Sequence, residues 1–394
     1  MTLKNVLHTK SGLFVREDEG FGLFVYSPYL GLVFACREED SKKVLMWLEQ
    51  KSDKAPSVEY EKALGPGWSI PLKDVEYPIP HLLPNADAWK ILPNPNRPIL
   101  INWLLTGNCP LACQYCYAED LMRGKCQEPD ENEIDEIAEA ILSFKPLVVV
   151  LTGGDPLFSH HLEKAIALLH KKTGIIIDTS AYTFNSNHLK IFKQYNVFVR
   201  ISIDSERPQI NDELRPVNKM YPKLRNIHPS TVDAAISALC QCINENVRIA
   251  VQTVATKINS SDLLSFGDKL FKLKVSGWRI LMVAPSIEQQ QAYDKLKMSK
   301  QTRMRFIEYT QKELLSKYKK DWNRRMAVQV AHNKTANEVI LVSPDGTFRT
   351  ESNVECGKVI LDEEYPKRPR LEMLLHKIDM QAHGARYLNF STAR

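Results

Sequence analysis

Several absences narrow the class of this chain. Its 394 residues contain no run of 18 apolar residues, and the start Met1-Thr-Leu-Lys-Asn5 lacks the apolar segment of a secretion signal. No membrane partner is therefore expected, and the expected compartment is the cytoplasm. No Gly/Ser linker, low-complexity run or internal repeat divides the sequence, which argues against solenoids and tethered arrays. Ten histidines form no HxxxH pair, and eight cysteines in a chain of this length are no disulfide framework. The net charge is +5, but Lys and Arg are spread along the chain rather than massed in a block, so nucleic acid is not an expected partner. With 44% hydrophobic and 25% charged residues, the chain can bury the core of one large domain and one or two small ones.

What is present is concentrated chemistry. Cys109, Cys113 and Cys116 lie in the run Thr106-Gly-Asn-Cys-Pro-Leu-Ala-Cys-Gln-Tyr-Cys-Tyr117, directly after an apolar, strand-like stretch. Iron–sulfur clusters and structural zinc normally take four protein ligands, so three close-set thiols point to a [4Fe–4S] cluster with one iron left for a non-protein ligand. Gly107, Asn108 and Pro110 supply the turn chemistry of a loop that could curl round it. A zinc-binding interaction module that recruits Cys126 is the alternative from another class. Further on, Pro146-Leu-Val-Val-Val-Leu151 ends in Thr152-Gly153-Gly154-Asp155-Pro156. Two glycines there let the backbone approach a ligand closely.

Together these motifs resemble the radical S-adenosylmethionine (radical SAM) superfamily, whose signature is CxxxCxxC with an aromatic before the last cysteine and a later GGEP-type turn. This chain has Asp155 where Glu is usual. Val199-Arg-Ile-Ser-Ile-Asp204 followed by Asn211-Asp-Glu-Leu-Arg215 is similar to the peptide-maturing branch, with Asn211 in place of the His of HDxxR. The likeness spans about residues 97–290. It implies a [4Fe–4S] cluster and S-adenosylmethionine as cofactors, reductive cleavage to a 5′-deoxyadenosyl radical, and an external electron donor such as a flavodoxin or ferredoxin. It further implies a peptide or protein substrate, with a small molecule or nucleotide as the alternative.

Strands are predicted at Ile99–Leu105, Leu147–Leu151, Gly174–Thr179, Val197–Ile203, Val247–Val254 and Gly277–Val283, with amphipathic helices near 130–144, 159–172, 185–195, 230–246 and 260–273. Apolar strands alternating with helices indicate an α/β fold with a buried parallel sheet. Six units with the chemistry at the strands' carboxyl ends resemble a partial (β/α)6 TIM-like barrel. Before it, residues 1–64 read as a small module of three strands followed by a helix from Ser41, either a peptide-recognition element working by strand addition or a cap on the barrel. Eight prolines mark 65–98 as an extended connector to a core over 99–297. Residues 298–394 read as a charged helix near 299–319 and a hairpin turning at Pro344-Asp-Gly346. Only Cys356 follows that hairpin, so a single cluster is expected.

The resemblance also carries over individual residues. Cys109, Cys113 and Cys116 would be the catalytic cluster ligands. Tyr115 would meet the adenine or simply close the loop core, and Gly153 and Gly154 would face the methionyl amine with Asp155 beside them. Ser202 and Asp204 would face the ribose, unless Asp204 caps the next segment. Arg215 suits the methionyl carboxylate or a surface ion pair. Gln252 offers a polar group on a buried strand, and Ala284 offers backbone to the adenine. Cys126, Cys240 and Cys242 read as unligated thiols.

Overall fold

The computed structural model describes residues 5–9, 12–19, 22–28, 31–36, 38–49, 95–116, 118, 128–283, 290–309, 326–331, 337–352, 355–359 and 371–388. Most of the connector predicted over 65–98, the site residue Ala284 and Cys126 lie outside them.

The amino-terminal module is an antiparallel sheet of β1 (Leu7–His8), β2 (Phe14–Asp18), β3 (Gly22–Ser27) and β4 (Leu32–Cys36), in that order, followed by a helix over Glu38–Leu48. Sequence patterning missed β1, whose two residues are too few to show a period.

The main sheet has ten strands: β5 (Leu100–Thr106), β6 (Val148–Gly153), β7 (Gly174–Thr179), β8 (Phe198–Ser202), β9 (Ile249–Ala255), β10 (Gly277–Met282), β11 (Ala327–Ala331), β12 (Ile340–Val342), β13 (Thr347–Thr350) and β14 (Glu355–Lys358). Their order is β11-β10-β9-β8-β7-β6-β5-β12-β13-β14, and every pair from β11 to β12 is parallel. All six strands predicted from apolar runs are present. The sheet curls without closing, and it is wider than six strands. β11 extends it beyond β10, and the predicted hairpin is built into the same sheet, with Leu341 opposite Asn102 of β5. A three-residue strand such as β12 carries little pattern of its own, so only its pairing reveals its place.

Alternation along each strand separates two faces. Ile101, Trp103, Val149, Leu151, Ile175, Ile177, Val199, Ile201, Val251, Trp278 and Ile280 join one core with the helices Glu131–Ser143, Leu162–Leu169, Ser186–Tyr195, Thr231–Asn244 and Leu263–Lys272. Each fully buried aliphatic side chain there contributes about 1.5–3 kcal/mol. Helix starts are set locally: Asp130 and Glu133 form a reciprocal capping box, as do Asn185 and His188.

The inner face is layered. Near the amino-terminal strand ends, Leu100, Val148, Val150, Ile176, Phe198 and Ala250 pack against Phe14, Phe24, Tyr26 and Val33 of the amino-terminal sheet. That sheet therefore plugs the floor of the barrel, at the end opposite the cysteine loop. It does not cap the mouth. Gly174 makes room for it, because a Cβ there would lie 2.1 Å from the Tyr26 ring. Fully buried Arg16 fastens the plug. Its Nε and Nη2 donate to the two carboxylate oxygens of Asp18 at 2.7 and 3.0 Å, Nη1 donates to the carbonyls of Pro98 and Lys145 at 2.5 and 2.8 Å, and Nη2 donates to that of Arg97 at 3.3 Å. All five guanidinium donors thus have acceptors. Higher up, the inner face turns polar, with Arg200 paired to Asp178 and Arg279 donating to Gln252.

Candidate active site

The three cysteines follow β5 at the barrel mouth. The Thr106 hydroxyl accepts the Asn108 N–H at 3.1 Å, and the Cys116 N–H closes a turn on the Cys113 carbonyl at 3.2 Å. A second segment straps this loop down. The N–H groups of Ala112 and Gln114 donate to the carbonyls of Pro216 and Leu214 at 2.8 and 3.0 Å, and the Asn218 N–H returns to the Pro110 carbonyl at 2.8 Å. The Asn218 side chain adds a bond to the Cys109 carbonyl at 3.2 Å. Sequence reading gave this strap no role apart from Arg215, because it lies a hundred residues away and has no motif of its own.

The glycine turn forms the other wall. The N–H groups of Gly154 and Asp155 donate to the carbonyls of Thr106 and Asn108 at 2.7 and 2.9 Å. Gly154 is required by this approach, since a Cβ would sit 2.1 Å from the Asn108 oxygen. The Gly154 donor thus holds the cysteine loop, while Gly153 carries the bend at φ 132°. Asp155 is buried and saturated. Its Oδ1 accepts the Leu157 N–H at 3.0 Å and the Thr179 hydroxyl at 2.7 Å, and its Oδ2 accepts the Ser180 N–H at 2.9 Å and the Ser180 hydroxyl. Four donors fill the capacity of a carboxylate, so Asp155 ties the end of β6 to the end of β7.

Tyr115 turns inward. Its hydroxyl donates to Asp204 Oδ2 and accepts from Arg215 Nη1 at 2.8 Å, with Arg215 Nη1 3.9 Å from the same Asp204 oxygen. The other oxygen of Asp204 accepts the Val254 N–H at 2.8 Å. Asp204 therefore anchors the cysteine loop to β9 and caps no helix, which corrects the capping alternative. Burial raises the Asp204 pKa, while Arg215, Tyr115 and the Val254 N–H oppose that shift. Burial works against the Arg215 charge too, but Cys113, Tyr115 and Asp204 together hold it well above the ordinary guanidinium range. Among the described residues only Nη1 of Arg215 is engaged, so the surface ion pair expected as one alternative is absent there and the remaining fork stays available.

Two asparagines complete the frame. Asn211 accepts the Asp204 N–H at 2.9 Å and donates to the Thr231 hydroxyl at 2.9 Å, and Asn259 donates to the carbonyls of Asp204 and Val254 at 2.8 and 2.9 Å. Asn259 was not legible in sequence, because a lone Asn in a polar stretch carries no signal. Ser202 and Gln252 lie opposite each other across β8 and β9, half-buried on the inner face below this frame. Cys242 and Cys356 pack into the helix-covered core, where burial pushes their thiols up to about 12 and about 11.

Residues 103–255, from β5 to the end of β9, match the Radical SAM superfamily model. The chain carries a radical SAM domain. It is 22% identical over 297 residues to an S-adenosylmethionine-dependent nucleotide dehydratase of Psychrobacter lutiphocae, covering 72% of this chain and 90% of that one. It is 24% identical over 181 residues to the Fe-coproporphyrin III synthase of Methanosarcina barkeri, covering 45% and 42%. In fold, the chain is similar to Streptococcus suis SuiB, whose structures include one bound to precursor peptide SuiA and one bound to S-adenosylmethionine. The TM-scores are 0.59 and 0.58 at 12% identity, covering 97% of this chain and 90% of that chain.

The family implies a [4Fe–4S] cluster and S-adenosylmethionine, and the donor set fits. Burial pushes the Cys113 thiol up to about 12, with Arg215 pulling it down and Cys116 pushing it up, and burial with nearby Asp155, Cys113 and Cys116 lifts Cys109 well above the usual thiol range. A trio of crowded, half-buried thiols suits a polycationic centre that favours their thiolate forms. Among the described residues no three His, Cys, Asp or Glu groups converge as ligands of a single ion. Cys126, which the zinc alternative recruits, lies outside the described residues.

Proposed function

We propose that this protein is a radical SAM enzyme acting on a peptide or protein substrate. When bound at Cys109, Cys113 and Cys116, the cluster would cleave S-adenosylmethionine reductively and supply a 5′-deoxyadenosyl radical that takes hydrogen from the substrate. The chain's own residues orient and shield. Arg215, with the free part of its fork, would receive the methionyl carboxylate, and Tyr115 and Asp204 hold that fork in place. Asp155, Gly154 and the 214–218 strap keep the cysteine loop in one geometry, which reduces the reorganisation needed for cofactor binding. Ser202 and Gln252 would line the space beneath the cofactor. The apolar floor closed by the amino-terminal sheet excludes water from the far end of the barrel.

The peptide reading rests on one observation: the fold likeness to SuiB runs through 97% of this chain, and so includes the amino-terminal sheet as well as the barrel. The dehydratase likeness, which covers 72% of this chain, favours a nucleotide instead. Anaerobically reconstituted protein decides between them. Addition of candidate precursor peptides should raise 5′-deoxyadenosine formation and yield a modified peptide by mass spectrometry. Stimulation by nucleotides alone would favour the second reading. Cys113→Ala should lose both the iron chromophore and cofactor cleavage, because a methyl group cannot replace a thiolate ligand, and retained cleavage would refute the ligand assignment.

A further inference from the structure

The strap that fastens the cysteine loop continues into a surface with a composition of its own. Residues 215–228 contain four Lys and Arg and no Asp or Glu. Arg215 is buried in the site, which leaves Lys219, Lys223 and Arg225 exposed around the short turn Pro222–Leu224. The acids nearby do not all answer them. Asp212 accepts the Thr231 N–H and hydroxyl, and Glu128 accepts the Ser159 hydroxyl and the His160 N–H, while Glu213 is exposed on the preceding helix. The same stretch exposes Met220 at 75% and Ile227 at 49%, two of the five exposed large apolar side chains among the described residues.

This surface is wired to the candidate cluster loop. Asn218 bonds the Cys109 and Pro110 carbonyls, and the Tyr221 hydroxyl donates to Asn108 Oδ1 at 3.1 Å. Tyr221 is itself braced edge-on against Phe158, with ring centroids 5.0 Å apart. A chain of a few covalent and hydrogen bonds thus joins the exposed turn to the first cysteine. A basic rim around apolar contacts, beside the metal ligands, is the surface that a transient and electrostatically steered electron-transfer encounter needs.

We propose that residues 219–227 form the docking surface for an acidic one-electron carrier protein with a flavin or iron–sulfur centre. The inference rests on the radical SAM reading. In the transfer the carrier loses one electron, the centre held behind Cys109 gains it, and no bond is made or broken. Lys219, Lys223 and Arg225 steer the carrier, and Met220 and Ile227 give the short-range contact.

The test compares two reductants on the reconstituted full-length holoenzyme, reading 5′-deoxyadenosine, and follows binding of oxidised flavodoxin by calorimetry, which charge reversal at this surface should weaken to the same degree. One is a reduced flavodoxin, and the other is dithionite, a small reductant that needs no docking surface. The combined Lys219→Glu, Lys223→Glu and Arg225→Glu variant should raise the flavodoxin concentration for half-maximal rate roughly tenfold or more and flatten its salt dependence. The dithionite-driven rate should be unchanged. An unaltered flavodoxin dependence overturns the proposal, and so does a shift in substrate KM under dithionite, which would make the surface a substrate rim. If charge reversal lowers iron content, Lys219→Gln with Lys223→Gln carries the test, and an unchanged salt slope in that variant is again decisive against docking. Wild-type protein that fails to cleave cofactor even with dithionite would defeat the radical SAM reading itself, a separate outcome.

Discussion

The Tyr115 phenol donates to the Asp204 carboxylate, joining the residue before the last cysteine to the carboxyl end of the strand run β8, 89 positions further along the chain. Arg215 donates to the same phenol at 2.8 Å, so one hydroxyl holds the cysteine loop, the barrel strand and the strap together. The frame is buried and each contact satisfies another, which makes it sensitive to the loss of a single atom.

Removing that atom gives the first prediction. Tyr115→Phe leaves an Asp204 oxygen buried without its donor, at a cost of about 1–3 kcal/mol. Reconstituted iron content should fall and cofactor cleavage should slow, with the overall fold kept by circular dichroism. Full iron content and wild-type cleavage would show that the frame does not position the loop.

A second prediction concerns the departure from the family's glutamate. Asp155 already satisfies four donors from Leu157, Thr179 and Ser180, so the extra methylene in Asp155→Glu pushes the carboxylate past them. Overpacking of this kind costs about 1–3 kcal/mol. The expected outcome is a lower thermal midpoint and weaker S-adenosylmethionine binding by calorimetry. Tighter binding in Asp155→Glu would mean that the side chain contacts the cofactor directly.

The third concerns the plug. Arg16→Leu strands the Asp18 carboxylate and orphans the Pro98, Lys145 and Arg97 carbonyls, and breaking a buried pair from one side costs about 3–5 kcal/mol. Chemical denaturation should show that loss across the barrel, with iron ligation intact in the folded fraction. A variant that destabilised only a separable amino-terminal unit would contradict the packing of Phe14, Phe24 and Tyr26 into the barrel floor.

Local chemistry was legible where it repeats a period or a motif. The six strands show as apolar runs, the helices near 130–144 and 185–195 show as amphipathic periods, and the cysteines and glycines carry their own spacing. β1, β11 and the pairing of β12 were not legible, since short strands are defined by their neighbours. The same holds for Asn259, whose amide reaches the Asp204 carbonyl from a different loop, and for the bonds of Asn211, which the motif marked by position alone.

By itself, then, the order of residues determined the cysteine spacing, the close-approach glycines and the strand–helix rhythm, because these are properties of neighbours along the chain. Only tertiary structure decided that Asp155 is saturated, that Tyr115, Asp204 and Arg215 meet, and that the amino-terminal sheet seals the floor rather than the mouth. Those outcomes depend on which distant groups share a buried volume, where each donor must find whichever acceptor the packing brings near.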